Sequence, residues 1–206
     1  MQSVTLLAVS KTFGVDRITE AHAAGQRRFG ENYVQEATLK VAALEGLVPR
    51  PEWHLIGPIQ SNKTRPIAAS FAWVHTVERL KIAQRLSEQR PAGMAPLNVC
   101  IQVNISGEAS KSGATPDELP ELARQVALLP NLKLRGLMAI PEPETDVAKQ
   151  RAAFARVRAL ADGLREDGLA LDTLSMGMSA DMQAAIAEGA TIVRVGSAIF
   201  GSRNYD

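Results

Sequence analysis

The stretch that decides the fold is Thr173-Leu174-Ser175-Met176-Gly177-Met178-Ser179-Ala180-Asp181-Met182-Gln183, with its successor Ile192-Val193-Arg194-Val195-Gly196-Ser197-Ala198-Ile199-Phe200-Gly201. Each is a short apolar run, then a glycine and serine turn, then a helical segment. The pattern predicts strands over 173–176 and 192–195, joined by a crossover helix that stops at Gly189. Toward the N-terminus the alternation recurs, with strands predicted at Thr5–Ser10, Arg28–Glu31, Trp53–Ile56, Trp73–Thr76, Asn98–Asn104 and Lys133–Ala139. Eight parallel strands with intervening helices in 206 residues predict a single α/β domain of the (β/α)8 barrel type, spanning residues 1–206. An open doubly wound sheet of that many strands would need larger helices at both edges. No Gly-x-Gly-x-x-Gly follows the first strand to support that alternative with a dinucleotide site.

The helical stretches carry their own start and stop signals. Thr115-Pro116-Asp117-Glu118 supplies an N-cap, a proline at the first helical position and a glutamate able to close a capping box. After the sixth strand, Phe154, Val157, Leu160, Ala161 and Leu164 fall on one helical face, and Gly168 sits just past the end.

Composition narrows the function. Hydrophobic residues make up 46% and charged residues 22% of the chain, as in an ordinary folded globular protein. The 23 basic and 22 acidic residues leave a net charge of +1, without an electrostatic footprint for nucleic acid or an anionic membrane, so the expected partner is a small molecule. Cys100 is the only cysteine, which rules out an internal disulfide and fits a reducing, cytoplasmic compartment. No export leader or membrane span is evident, since no apolar run approaches the roughly 18 residues a bilayer needs. His22, His54 and His75 lie far apart in the chain, so no zinc site is expected.

In such barrels chemistry collects at the carboxyl ends of the strands. Lys11 stands just beyond the apolar run Leu6-Leu7-Ala8-Val9, where partial desolvation favours the neutral amine that attacks a carbonyl to give a Schiff base. Taken alone, a solvated lysine is the commoner outcome at such a position. Ser179 reads as the N-cap of the helix after the seventh strand, and the glycine beside it lets backbone amides approach an anion. Gly196-Ser197 opens a further helical turn after the eighth strand. One such turn is more often only a cap, but turns after strands seven and eight together are the recurrent phosphate site of this architecture. Closure of the barrel would set that phosphate site beside Lys11. Arg194 interrupts an apolar strand and needs a partner, either a ligand or an acidic neighbour such as Glu31. Glu31, Asn32, His54, Gln60, Asn62, Lys63, Asn104, Lys111 and Met138 are further candidates for the mouth, each of which could equally serve as a cap or stay solvated.

The chain also resembles a known family in long blocks. These are Leu-Leu-Ala-Val-Ser-Lys at 6–11, Phe-Gly-Glu-Asn-Tyr-Val-Gln-Glu at 29–36 and Trp-His-Leu-Ile-Gly-Pro-Ile-Gln-Ser-Asn-Lys at 53–63. Later come Arg-Gly-Leu-Met-Ala-Ile at 135–140, Ser-Met-Gly-Met-Ser-Ala-Asp-Met at 175–182 and Val-Arg-Val-Gly-Ser-Ala-Ile-Phe-Gly at 193–201. The resemblance is to the homeostasis proteins that bind pyridoxal 5'-phosphate (PLP), whose barrel is similar to the N-terminal domain of alanine racemase. It implies a Schiff base of PLP on Lys11, phosphate contacts from Ser175, Ser179, Gly196 and Ser197, and Arg194 near the pyridine nitrogen. Asn32 and Met178 fall in the matching blocks and are counted with the cofactor-binding residues. Two departures stand out. The family usually has a helical segment before the first strand, so this barrel is expected to lack an outer helix, and Ser197 stands where threonine is common.

The expected function is a monomeric PLP carrier without catalytic residues or metal, with PLP-dependent apo-enzymes as recipients. The alternatives are a PLP-dependent amino-acid racemase and a lysine-dependent aldolase for a phosphorylated sugar. The resemblance implies that a racemase of this barrel adds a C-terminal β-domain with a tyrosine base. Here Tyr33 lies at a helix start and Tyr205 in the tail.

Overall fold

Alternate residues of a strand face opposite sides, so eight short strands that pair side by side can present one set of side chains inward and the other to a surrounding layer. The computed structural model, which describes residues 3–106 and 112–201, realises this arrangement. Its elements run β1 (Thr5–Val9), α1 (Val15–Ala23), β2 (Arg28–Glu31), α2 (Val34–Ala43), β3 (Glu52–Leu55), a 3-10 turn (Ser61–Lys63), α3 (Thr64–Ser70), β4 (Trp73–Val77) and α4 (Leu80–Gln89). They continue as β5 (Leu97–Gln102), α5 (Leu119–Ala127), β6 (Leu132–Met138), α6 (Val147–Glu166), β7 (Thr173–Met178), α7 (Met182–Ala187), β8 (Ile192–Val195) and α8 (Ser197–Phe200). The strands form a closed parallel barrel in chain order. It is sealed by β1 and β8, with Thr5 opposite Ile192 and Ala8 opposite Val195.

Two apolar layers follow from the alternation. Between strands and helices lies the larger core, which takes in Phe154, Val157, Ala161 and Leu164 of α6, the face expected from its periodicity. Inside the barrel, Leu7, Trp73, Cys100, Met138 and Ile192 form a smaller cluster. Both tryptophans are buried. Thr115 and Glu118 exchange the bonds of a capping box, with Thr115 N donating to Glu118 Oε2 at 3.0 Å and Glu118 N donating to Thr115 Oγ1 at 3.3 Å. The box closes the turn ahead of α5, which begins at Leu119 with Glu118 at its N-cap position rather than at Pro116 as expected. Gly168 adopts φ 92° just beyond α6. Among the described residues no helix is long and apolar enough to cross a membrane.

Two interior positions have measurable consequences. A Cβ added at Gly136 of β6 would sit 1.8 Å from Thr173 O, where β6 meets β7 and where the register against β5 shifts. Gly136→Ala is therefore expected to destabilise the fold by at least ~1–3 kcal/mol, the cost of overpacking a close-packed interior, as chemical denaturation would measure. Burial pushes the Cys100 thiol up to about 12. It should resist a thiol reagent at neutral pH until the barrel unfolds, and rapid labelling of the native protein would contradict this burial.

Candidate functional site

Loops after six strands converge at the carboxyl end of the barrel around a cavity of about 540 Å³, within the ~300–1,000 Å³ usual for small-molecule sites. Lys11, Asn32, Met178, Ser179, Arg194, Gly196 and Ser197 all line it. Its apolar wall comes from Val9, Phe13, Ile56 and Ile140, which sequence reasoning missed. Two of these, Ile56 and Ile140, stand one and two residues beyond the ends of β3 and β6, a placement that could have marked them.

Ser175 does not join the others. It is fully buried below the cavity, and its side chain is engaged by His75 and Arg194. The hydroxyl lies 2.7 Å from His75 Nδ1, and Arg194 Nη1 donates to it at 2.9 Å. Arg194 also donates to Ser175 O at 2.6 Å and to Ala139 O at 2.9 Å. Of the two alternatives for this residue, the ion pair with Glu31 is not formed; among the described residues, no carboxylate lies within ion-pairing distance of this guanidinium. Burial lowers its pKa to about 10, so it remains a cation at neutral pH.

Ser179 is not a helix cap. β7 continues to Met178, Asp181 takes the N-cap position of α7, and Asp181 Oδ1 accepts from Met178 N at 2.6 Å. The Ser179 side chain thus has no role at the helix start and lines the cavity. Gly177 allows this tight exit: it adopts φ 94°, and a Cβ there would meet the Ala185 Cβ at 2.5 Å. Across the barrel seam, a Cβ at Gly196 would come 3.3 Å from Val9 O, so glycine lets the end of β8 lie close to β1. The start of α8 leaves the Ser197 and Ala198 amides without an intrahelical partner, the usual state of a first helical turn. Phe200 of α8 stacks on Phe13, with ring centroids 5.0 Å apart, which ties the loop after β1 to this turn.

A buried charged cluster supports the segment around Lys11. Lys40 of α2 donates to Ser10 O at 2.8 Å and to Glu31 Oε1 at 2.9 Å, and pairs with Glu36. Ser10 Oγ donates to Glu31 Oε1 at 2.6 Å, and Thr12 N donates to Glu36 Oε1 at 2.6 Å. The residues before and after Lys11 are thus both tethered. Thr12 adopts φ 69°, uncommon for a β-branched residue, and the Glu36 bond helps to hold it there. Burial raises the Glu31 pKa despite the bonds from Ser10 and Lys40, and its Oε2 has no hydrogen-bond partner.

Other predicted mouth residues lie elsewhere. Gln60, Asn62 and Lys63 sit in and beside the 3-10 turn and do not line the cavity. Met138 is inside the barrel, and Asn104 is buried and accepts from Ser106 Oγ at 2.9 Å. His54 belongs to the opposite, amino end of the barrel, where it lines a second cavity of about 470 Å³ with Glu52, Trp73 and Arg135. Tyr33 is exposed at the start of α2. Lys111 and Tyr205 lie outside the described residues.

The alanine racemase N-terminal domain family matches residues 1–204. A pyridoxal phosphate homeostasis protein of Pseudomonas aeruginosa is 66% identical over 203 residues, covering 98% of this chain and 86% of that protein. The chain belongs to the pyridoxal phosphate homeostasis proteins. A solved structure of the family member PipY from Synechococcus elongatus, with PLP bound, superposes with a TM-score of 0.90 at 41% identity, over 98% of this chain and 94% of that one. An alanine racemase of Clostridium difficile shares the fold at a TM-score of 0.79 and 14% identity, over 100% of this chain and 54% of that one.

The cluster beneath Lys11 makes a prediction with a definite sign. Removing one partner of a buried ion pair costs about 3–5 kcal/mol, so Lys40→Met should destabilise the fold by that order. Glu31 already has a raised pKa, so its ionised form is penalised in the folded state, and that penalty is absent once it is protonated. The stability deficit of Lys40→Met is therefore expected to be largest at neutral pH and to shrink as pH falls through the folded-state pKa of Glu31. Denaturation curves at a series of pH values would check this; a deficit that does not vary with pH would disprove it.

Proposed function

We propose that this chain binds PLP in the carboxyl-end cavity, holds it as a Schiff base on Lys11, and serves PLP homeostasis as a cytoplasmic carrier without turnover of its own. The observation that carries this reading is the convergence of an amine, a buried guanidinium and two serine turns on one cavity. The names of the relatives and the PLP-bound PipY structure support it. So does the donor set. Asn32 Oδ1 is buried without a hydrogen-bond partner beside the cavity, an acceptor that a ligand hydroxyl would satisfy.

PLP supplies an electrophilic aldehyde, which condenses with a primary amine with loss of water. Lys11 provides that amine from a segment held on both sides by the Lys40 cluster. Ser179 and Ser197 offer hydroxyls, and the turns that carry them offer backbone amides, as a cup for a dianionic phosphate. Ser175 is not part of this cup in the present reading, because its hydroxyl is already engaged by His75 and Arg194. Arg194 faces the cavity as a donor-only group, which suits a site that holds a ring nitrogen without protonating it. A carboxylate there would favour carbanion chemistry, and among the described residues none lines the cavity, which supports the carrier reading. We further read residues 1–206 as one domain acting as a monomer, with PLP-dependent apo-enzymes as recipients.

Lys11→Ala is expected to abolish borohydride trapping of PLP while leaving residual binding, since the phosphate cup does not depend on the amine. Trapping that persists in this variant would move the attachment to another lysine. Ser179→Ala and Ser197→Ala should each raise the PLP dissociation constant by roughly 10- to 150-fold, the equivalent of one charge-assisted hydrogen bond. Neither should change the dissociation constant of pyridoxal, which lacks the phosphate. Because Ser179 caps no helix, its variant should also keep the melting temperature of the cofactor-free protein. Equal losses for PLP and pyridoxal would place the phosphate elsewhere.

A further inference from the structure

A continuous column of polar side chains crosses the barrel interior from one end to the other. At the amino end, Glu52 Oε1 lies 3.0 Å from His54 Nε2. His54 Nδ1 lies 2.9 Å from His75 Nε2, and His75 Nδ1 lies 2.7 Å from Ser175 Oγ. Arg194 then donates to Ser175 Oγ at the floor of the carboxyl-end cavity. His54, His75, Ser175 and Arg194 are all buried.

The two ends of this column fix the proton positions in between. A guanidinium can only donate, so Ser175 Oγ accepts from Arg194. The serine proton then points to His75 Nδ1, because a buried hydroxyl left without an acceptor is costly. His75 Nδ1 is therefore an acceptor, and His75 carries its proton on Nε2. That proton is donated to His54 Nδ1, so His54 also carries its proton on Nε2 and donates it to Glu52. Glu52 completes the logic: its hydrogen bond with His54 lowers its pKa against the opposing effect of burial, and Arg28 Nε donates to it at 3.1 Å, so it stays an ionised acceptor. The reverse polarity would aim a bare nitrogen of His54 at that carboxylate. Burial holds both imidazoles neutral, and for His75 the nearby His54 and Arg194 act in the same direction. Trp73, stacked on His54 with centroids 5.3 Å apart and planes 5° apart, fixes the plane of that ring.

We propose that His75, backed by His54 and Glu52, is a positioning residue for Arg194: the column commits the Ser175 hydroxyl as an acceptor toward the guanidinium and so sets the donor that faces the cofactor cavity. This rests on the reading of that cavity as a PLP site. Arg194 acts on the ring end of the ligand, so loss of His75 should weaken PLP and pyridoxal alike. Damage to the phosphate cup would instead affect PLP alone.

The first test needs no ligand. Histidine 15N shifts of the cofactor-free protein at neutral pH should show His54 and His75 neutral, each protonated on Nε2. A proton on Nδ1, or an imidazolium, at either position overturns the column. The second test compares ligands. His75→Leu is expected to raise the dissociation constants of PLP and pyridoxal by the same factor, about 3- to 10-fold, and to shift the absorbance maximum of bound PLP. Unchanged affinity and spectrum in a folded variant, or a loss confined to PLP, would refute the positioning role. If His75→Leu does not fold, Ser175→Ala removes the same link and is judged by the same criteria. Failure of the wild-type protein to bind PLP would sink the functional reading, while the tautomers would still decide the column.

Discussion

Thr5 to Ala8 of β1 lie in register with Ile192 to Val195 of β8, and this backbone pairing closes the sheet on itself. Everything at the carboxyl end depends on that seam. It carries the chain from Val9 into Lys11 on one side and from Val195 into Gly196 and Ser197 on the other, so an amine and a serine turn far apart in sequence share one cavity. The close approach is specific: a side chain at Gly196 would press on the Val9 carbonyl, and Phe13 and Phe200 stack above the join. An open sheet with the same strands would leave β1 and β8 as distant edges, and the two halves of the site would not meet.

The barrel was legible because its signals are local. Apolar strand runs, a capping box at Thr115 and Glu118 and a glycine after α6 each act within a few residues of themselves. The residues of the cavity were legible for a related reason, since barrel geometry converts a position just past a strand end into a position at the mouth. Strand side mattered as much as strand end. His54 and Ser175 sit inside the barrel below its mouth, so proximity to a strand end in sequence did not bring them into the lining of the carboxyl-end cavity. Ser179 looked like a cap because β7 was expected to stop sooner; two more strand residues carry the chain to Asp181 before α7 begins.

What sequence could not disclose was partnership across the barrel. Lys40 reads as one lysine among many on a helix, yet it is the buried cation that joins Glu31, Glu36 and the Ser10 carbonyl. His54 and His75 are separated by 21 positions in the chain, and neighbouring parallel strands bring their rings within hydrogen-bond distance. Arg194 was read as needing either a ligand or an acidic partner; within the protein it is held by two carbonyl groups and a hydroxyl, which do not neutralise its charge. That leaves a net positive group at the base of the cavity.

The polar column also limits how this barrel can change over generations. Each interior member supplies one neighbour with a donor and the other with an acceptor, so a single replacement at position 54, 75 or 175 leaves at least one buried group without its partner. Substitutions there are strongly interdependent, unlike those at well-separated sites, whose effects usually add. An all-apolar interior would be reached only through several simultaneous changes, with less fit intermediates between. Lineages that inherit the column should therefore keep it whole or replace it whole, while the exposed faces of the outer helices drift freely.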